Sequence, residues 1–264
     1  MLVPSRVVPG DGNVGTILES VPGRPHLAYS GAVAASTLDV WRLDAHAGET
    51  SDPSDLDDDE RRRADALASP GLRQRFVLAH VALRHLLGQA LGLRPRDVHI
   101  ARQACPRCGA PGGRPVLDGP APLHFSLSSS EDVVLIALAS ATVGVDVEAV
   151  PPLRAVEEAS PLLHPAERQE LDGLAPEARR ADFASLWSRK EAYLKGTGEG
   201  IGHRLGEVYI GTGPRAAAPA GWTLVEVPVP LGFCGWAAVR TNPHAADTGS
   251  DAAETADRTP GGAS

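Results

Sequence analysis

In Val143-Gly144-Val145-Asp146-Val147-Glu148 the valines alternate with Gly144, Asp146 and Glu148. That period of two belongs to a strand and puts both carboxylates on one face. Like charges set side by side repel. A hard divalent ion such as Mg²⁺, which takes carboxylate oxygens together with substrate phosphate oxygens, would resolve the repulsion; a solvent-facing strand edge is the plainer alternative. About forty residues on comes Trp187-Ser188-Arg189-Lys190-Glu191-Ala192-Tyr193-Leu194-Lys195. Here Trp187, Glu191 and Lys195 fall on one helical stripe, which an ordinary surface ion pair would also produce. The indole argues for a face at least partly buried. There Glu191 would be a third metal-binding carboxylate, and Lys195 a cation for a phosphate. Lys190 and Lys195 are the chain's two lysines. They lie about 140° apart around a helix, so Lys195 is expected in the cleft and Lys190 packed or paired with an acid.

Other chemistries find less. The sequence has no G-x-x-x-x-G-K-[ST] and no G-x-S-x-G, and the glycines after Lys195 miss the G-x-G-x-x-G register, so this segment supports neither Walker-type nor Rossmann-type nucleotide binding, and nucleophile-elbow hydrolysis has no motif behind it. Cys105-Pro106-Arg107-Cys108-Gly109 resembles one zinc knuckle. A closed site needs four ligands, which Cys234 with His99 or His124 would have to complete, so reduced loop thiols are the expectation. His80 and His85 are read as structural or surface residues.

These groups need a frame. The chain has 264 residues, 42% hydrophobic and 22% charged, enough for one large domain or two modest ones with a real core. A net charge of −8 lacks the basic footprint of a nucleic-acid binder. The longest apolar run, 133–139, is far short of a membrane span. The N-terminus does not read as a secretory signal and three cysteines cannot all pair, so a cytoplasmic protein with reduced thiols is expected. Residues 1–25 and 241–264 read as tails. Between them, acidic 54–60 followed by Arg61-Arg62-Arg63 opens a first helix. An amphipathic helix is expected over 72–91 before Gly92. Residues 99–119 read as a loop with one edge strand at most. Strands are expected at 124–128, 133–139, 143–147, 207–210, 222–229 and 233–239, and helices at 166–174 and 177–195. The halves 26–142 and 143–240 each run from helices into strands, although no internal repeat is legible.

Taken in this order and at this spacing, Gly144-Val145-Asp146-Val147-Glu148 and Trp187 to Lys195 resemble the paired signature of 4′-phosphopantetheinyl transferases of the surfactin-synthetase-activating (Sfp) type. Support comes from residues 75–88, Gly113-Arg114-Pro115 and Phe125-Ser126-Leu127-Ser128. The resemblance spans roughly residues 55–240. It implies an α+β fold of two similar lobes related by a pseudo-twofold axis, each a small antiparallel sheet packed with helices, with the ligand cleft between them. It implies transfer of the 4′-phosphopantetheine arm of coenzyme A to a serine of an acyl or peptidyl carrier protein, with release of 3′,5′-ADP by a monomer. Carried over by position, Asp146, Glu148 and Glu191 hold Mg²⁺, and Glu191 also takes the serine proton. Lys195 contacts the phosphates, and Arg61, Arg75, Arg114, Ser128 and Ser129 contact coenzyme A. The resemblance implies no nucleic-acid or membrane partner, and polyketide, nonribosomal-peptide and fatty-acid carriers all remain open. One departure stands out: the family often has Ser-His-Ser where this chain has Ser128-Ser129-Ser130, so the imidazole that commonly helps hold the 3′-phosphate is replaced by a hydroxyl. The alternatives are a degenerate member that binds coenzyme A or a carrier protein without turnover, and a zinc-stabilised interaction module around Cys105 and Cys108.

Overall fold

A computed structural model describes residues 25–45, 51–111, 113–119, 122–199 and 205–241; the expected tails fall almost wholly outside that range. The first elements are strands β1 (His26–Val33) and β2 (Ser36–Asp44), which the sequence reading did not anticipate. β2 hides its period because both of its faces are buried: Trp41 and Leu43 enter one core, Leu38 and Val40 another. Helices α1 (Asp58–Asp65) and α2 (Pro70–Leu91) follow. α2 ends at Gly92, which takes φ 69°, a left-handed conformation open to glycine.

Residues 99–119, expected as a loop, fold into a short hairpin of β3 (Ile100–Arg102) and β4 (Pro115–Leu117). Next come β5 (His124–Ser130), β6 (Val133–Ala139) and β7 (Val143–Ala149). The second half adds α3 (Leu153–Ala159), which the sequence reading missed, then α4 (Pro165–Asp172) and α5 (Pro176–Thr197). It closes with β8 (Trp222–Glu226) and β9 (Phe233–Arg240). The expected strand at 207–210 does not form. Instead the Ile210 and Gly211 N–H groups donate to the Glu167 carboxylate of α4, not to a neighbouring strand.

The fold is α+β, and its strands pair antiparallel throughout. A four-stranded sheet runs β1-β2-β6-β5 and a three-stranded sheet β7-β9-β8. α2 covers one face of the larger sheet, packing Leu78, Leu83 and Leu87 on Trp41, Ile136 and Leu138. The other face meets the smaller sheet, where Leu135 and Ala137 pack with Val145, Val147 and Val239. β6 is therefore buried on both sides along its length, which is why it reads as an unbroken apolar run rather than an alternating one. α5 lies on the far side of the smaller sheet and packs Phe183 and Leu186 with Val156 of α3 and Leu171 of α4.

No described helix is long and apolar enough to cross a membrane.

Candidate functional site

The site forms where β7 is pressed between β5 and α5. Val143, Val145 and Val147 are buried in the inter-sheet core, which turns Gly144, Asp146 and Glu148 toward α5. Gly144 sets the depth of contact, because a Cβ there would stand 2.0 Å from the Ala192 carbonyl oxygen and 2.4 Å from the Gly196 nitrogen. Any side chain would push the helix away. Gly196 does the same from the helix side, since a Cβ would fall 2.6 Å from the Trp222 ring. The paired glycines bring the strand carboxylates under a helix that carries Glu191 and Lys195.

β5 is held to β7 by serine hydroxyls. Ser126 Oγ accepts from the Val145 N–H at 3.0 Å, and Ser130 Oγ from the Ala149 N–H at 3.1 Å. Between them Ser128 Oγ donates to Asp146 Oδ1 at 2.9 Å. Alternate residues of a strand share a face, so the run Ser126, Ser128, Ser130 stitches the two sheets together.

Asp146 is the centre. It is 2% exposed, and its Oδ1 takes Lys195 Nζ at 2.6 Å as well as Ser128 Oγ, while Lys195 also donates to Ser128 Oγ at 2.8 Å. Oδ2 is buried without any hydrogen-bond partner. Burial pushes the Asp146 carboxyl up from its ordinary value, and the Lys195 charge pulls against that. Glu148 and Glu191 rise to about 7, first because they are desolvated and then because Asp146 repels them. A desolvated set of three carboxylates, one lysine and an orphaned oxygen suits a hard cation. Among the described residues no three ligand-type side chains form a ready-made cage. The glutamates feel the Asp146 charge without sharing a point with it.

The remaining sequence candidates divide. Arg114 reaches this site: its Nη1 donates to the Gly196 carbonyl at 2.9 Å and its Nε to Gln103 Oε1 at 2.8 Å. Beside it Arg114, Leu117, Leu123, His124 and Phe125 line a pocket of about 190 Å³. Arg75, on α2, donates to the Glu131 carbonyl at the β5–β6 turn, the same end of β5 that exposes Ser129. Arg61 does not join them. It pairs with Asp58 at 2.6 Å and donates to the Leu56 carbonyl, both at the start of its own helix.

The two lysines separate as their helical angle requires. Lys190 is 1% exposed and donates to Glu167 Oε2 at 2.6 Å and to the Val208 carbonyl. Its long stem is buried beneath α4, and desolvation lowers its pKa against the opposing pull of Glu167. Trp187 is half-buried, packing against the helical core and stacking on Phe183 with ring centroids 5.4 Å apart.

Glu167 was missed by the sequence reading. It is fully buried, caps the backbone N–H of His164, and accepts from Lys190, Ile210 and Gly211. The available signal was its place as third residue of a helix opened by His164-Pro165, a capping-box position. Of the remaining histidines, His80 is turned to the Phe76 carbonyl of its own helix and His85 to Asp55. Cys105 and Cys108 are free thiols in the β3–β4 loop, and Cys234 is a free thiol in β9.

Residues 142–218 match the family model described as the 4′-phosphopantetheinyl transferase superfamily. The chain is 31% identical over 220 residues to 4′-phosphopantetheinyl transferase HetI of Nostoc sp. (strain PCC 7120), covering 78% of this chain and 87% of that protein. It is 32% identical over 132 residues to 4′-phosphopantetheinyl transferase psf-1 of Bacillus pumilus, with 50% of this chain and 53% of that protein covered. A more distant match, 26% over 127 residues, is to 4′-phosphopantetheinyl transferase Sfp of Bacillus subtilis (strain 168), covering 48% of this chain and 53% of that protein.

Proposed function

Because the chain belongs to the 4′-phosphopantetheinyl transferase superfamily, we propose that it moves the phosphopantetheine arm of coenzyme A onto a serine of an acyl or peptidyl carrier protein, releasing 3′,5′-ADP, as an Sfp-type enzyme. The observation that carries this reading is the orphaned, buried Oδ2 of Asp146 beside Lys195 and two glutamates held near 7. We take the first lobe as residues 26–142 and the second as 143–240, acting together as a cytoplasmic monomer.

Asp146, Glu148 and Glu191 would hold Mg²⁺, and the donor set, all hard carboxylate oxygens, fits that ion. When bound, the ion would supply neutralisation of the diphosphate charge that builds as its bond breaks. The protein's own groups do the rest. Lys195, now on Asp146, turns its ammonium to a phosphate oxygen when the substrate arrives, and Ser128 keeps the Asp146 carboxylate in place throughout. Arg114 and Arg75 bind coenzyme A at the two ends of β5. Ser129 offers a hydroxyl there, and Arg61 contributes only if it leaves Asp58. Glu191 accepts the proton of the attacking serine, directly or through one water. The β5–β7 seam and the Gly144–Gly196 contact fix the distances among these groups.

The test is the intact mass of an apo carrier protein incubated with this chain, coenzyme A and Mg²⁺. The proposal expects one phosphopantetheine arm per carrier, lost when the carrier serine is replaced by alanine. Coenzyme A binding with no mass gain on acyl or peptidyl carriers would overturn it.

A further inference from the structure

The transfer chemistry leaves the Cys105/Cys108 pair unused. The loop that bears it is built tightly: the Gln103 N–H donates to the Arg114 carbonyl at 3.1 Å, the Gly113 N–H to the Gln103 carbonyl at 2.9 Å, and the Cys105 N–H to the Ala110 carbonyl at 2.9 Å. Within it the Gly109 N–H donates to the Cys105 carbonyl at 2.9 Å. This closes residues 105–109 into one helical turn, with Gly109 at φ 69°. Residues three apart on such a turn lie on one side, with Cβ atoms about 5–6 Å apart. Both thiols are free; Cys108 is exposed and Cys105 half-buried. The backbone N–H groups of Cys108 and Arg107, together with the Cys108 side chain, bond to Cys105 Sγ and lower its pKa. Two sulfurs are too few for a closed metal site, and among the described residues no third ligand-type side chain completes one. Two sulfurs suffice for a redox pair.

We propose that Cys105 and Cys108 form a reversible dithiol–disulfide pair, with Cys105 the attacking thiol and Cys108 the resolving one. The oxidant is a low-molecular-weight disulfide, RSSR. The Cys105 thiolate attacks one of its sulfurs; a Cys105–SR bond forms and RS⁻ leaves. Cys108 then loses its proton to water and attacks Cys105 Sγ, forming the internal S–S bond and releasing the second RS⁻. Two electrons pass from the pair to RSSR, which becomes two RSH on taking up the two thiol protons.

Closure needs the two Cβ atoms about 3.5–4.5 Å apart, so it tightens the turn. The turn is not isolated. Cys105 Sγ stands 3.8 Å from the Glu199 carbonyl, Arg107 is 3.7 Å from Glu207, and Arg114 at the base of the loop grips Gly196. On the reading that Arg114 contacts coenzyme A, oxidation displaces that arginine and raises KM for coenzyme A several-fold with kcat nearly unchanged.

The test uses the full chain titrated with glutathione disulfide, followed by differential alkylation and peptide mapping. The expected product is a Cys105–Cys108 peptide lighter by two hydrogens, restored by dithiothreitol, with Cys234 still open to alkylation. Cys108→Ser should trap glutathione on Cys105, whereas Cys105→Ser should trap far less on Cys108. Independent glutathionylation of both thiols, or protection from alkylation that a chelator removes, would overturn the pair. An oxidised wild type whose KM equals that of the Cys105→Ser/Cys108→Ser variant would overturn the link to Arg114. The mass readout needs no turnover, so this proposal and the transferase reading fail separately.

Discussion

α2 and α5 share a frame. Each runs 22 residues, opens on a proline and ends at a left-handed glycine, Gly92 or Gly198. Each buries a cation at the same step, Arg84 after Pro70 and Lys190 after Pro176, and offers it to the glutamate of a capping box on the helix before; α5 buries Arg189 as well. Arg84 Nε meets Glu60 Oε2 at 2.6 Å, and Lys190 meets Glu167 Oε2 at 2.6 Å. The next residue parts them. After Arg84 comes His85, tied to Asp55 at 2.9 Å; after Lys190 comes Glu191, facing β7. Where α2 has Ala90, α5 has Gly196. α2 rests on an apolar layer of Trp41, Ile136 and Leu138, whereas α5 touches the backbone of β7 at Gly144. One frame thus serves two ends. The first half keeps a cushion of side chains, and the second removes that cushion, which brings the strand carboxylates beneath the helix that carries Glu191.

The strongest way to sharpen the comparison is to remove the capping glutamates. Glu167→Ala leaves Lys190 buried with the Val208 carbonyl alone, an uncompensated charge worth about 3–5 kcal/mol. Glu60→Ala should cost less, because Arg84 keeps Asp57 at 2.5 Å and the Pro95 and Val98 carbonyls. Urea melts of the two variants read the difference directly, and equal losses would show that the further partners of Arg84 do not compensate its charge. Next in size is Gly144→Ala, which forces α5 off β7 and should cost roughly 1–3 kcal/mol together with transfer activity. The matching change in the other half, Ala90→Gly, should cost only about 1 kcal/mol through helix propensity.

The repeat behind these predictions was nearly invisible in the sequence. Arg and Lys, or His and Glu, at matching steps share no pattern a reader would align, and the likeness appears only when both cations are seen meeting a capping glutamate. The alternation of 143–148 and the helical stripe 187–195 were legible because one face of each element is apolar and the other is not. β1 and β2 were not, since β2 is buried on both faces and β1 is a half-exposed edge strand. The serine stitch and the glycine contact escaped for a different reason. Both are properties of a meeting between distant segments, and nothing local marks Ser126 or Gly196 as the residue that touches β7. Arg61 shows the opposite case: a basic residue near the expected position is engaged by its own helix.

A smaller effect is the pH response of the metal-free protein. Glu148 and Glu191 sit near 7 in the fold against an ordinary 4.5, so between those values the native state holds more protons than the unfolded chain. Stability contributed by this pair is therefore lost as pH rises toward and through 7. Melting temperatures taken from about pH 5.5 to about pH 8 should fall with pH, and less so in Glu148→Gln/Glu191→Gln; an unchanged slope in that variant would place the titration elsewhere. The smallest change is in lysine reactivity. Lys195, with a quarter of its side chain exposed, should be labelled by amine reagents and protected by coenzyme A with Mg²⁺. Lys190 should stay unlabelled in both states, and peptide mapping reads both in one digest.

The claim that the helix carboxylate of the site belongs to α5 and has no counterpart on α2 is tested most directly at the matched step of the two helices, by rates of phosphopantetheine transfer to an apo carrier for His85→Ala and Glu191→Ala. The account predicts that His85→Ala stays within a few-fold of wild type, while Glu191→Ala, folded by circular dichroism, falls about 10²-fold or more, the scale of losing one preorganised charge-stabilising group. A Glu191→Ala protein that transfers at close to the wild-type rate in Mg²⁺ would contradict it.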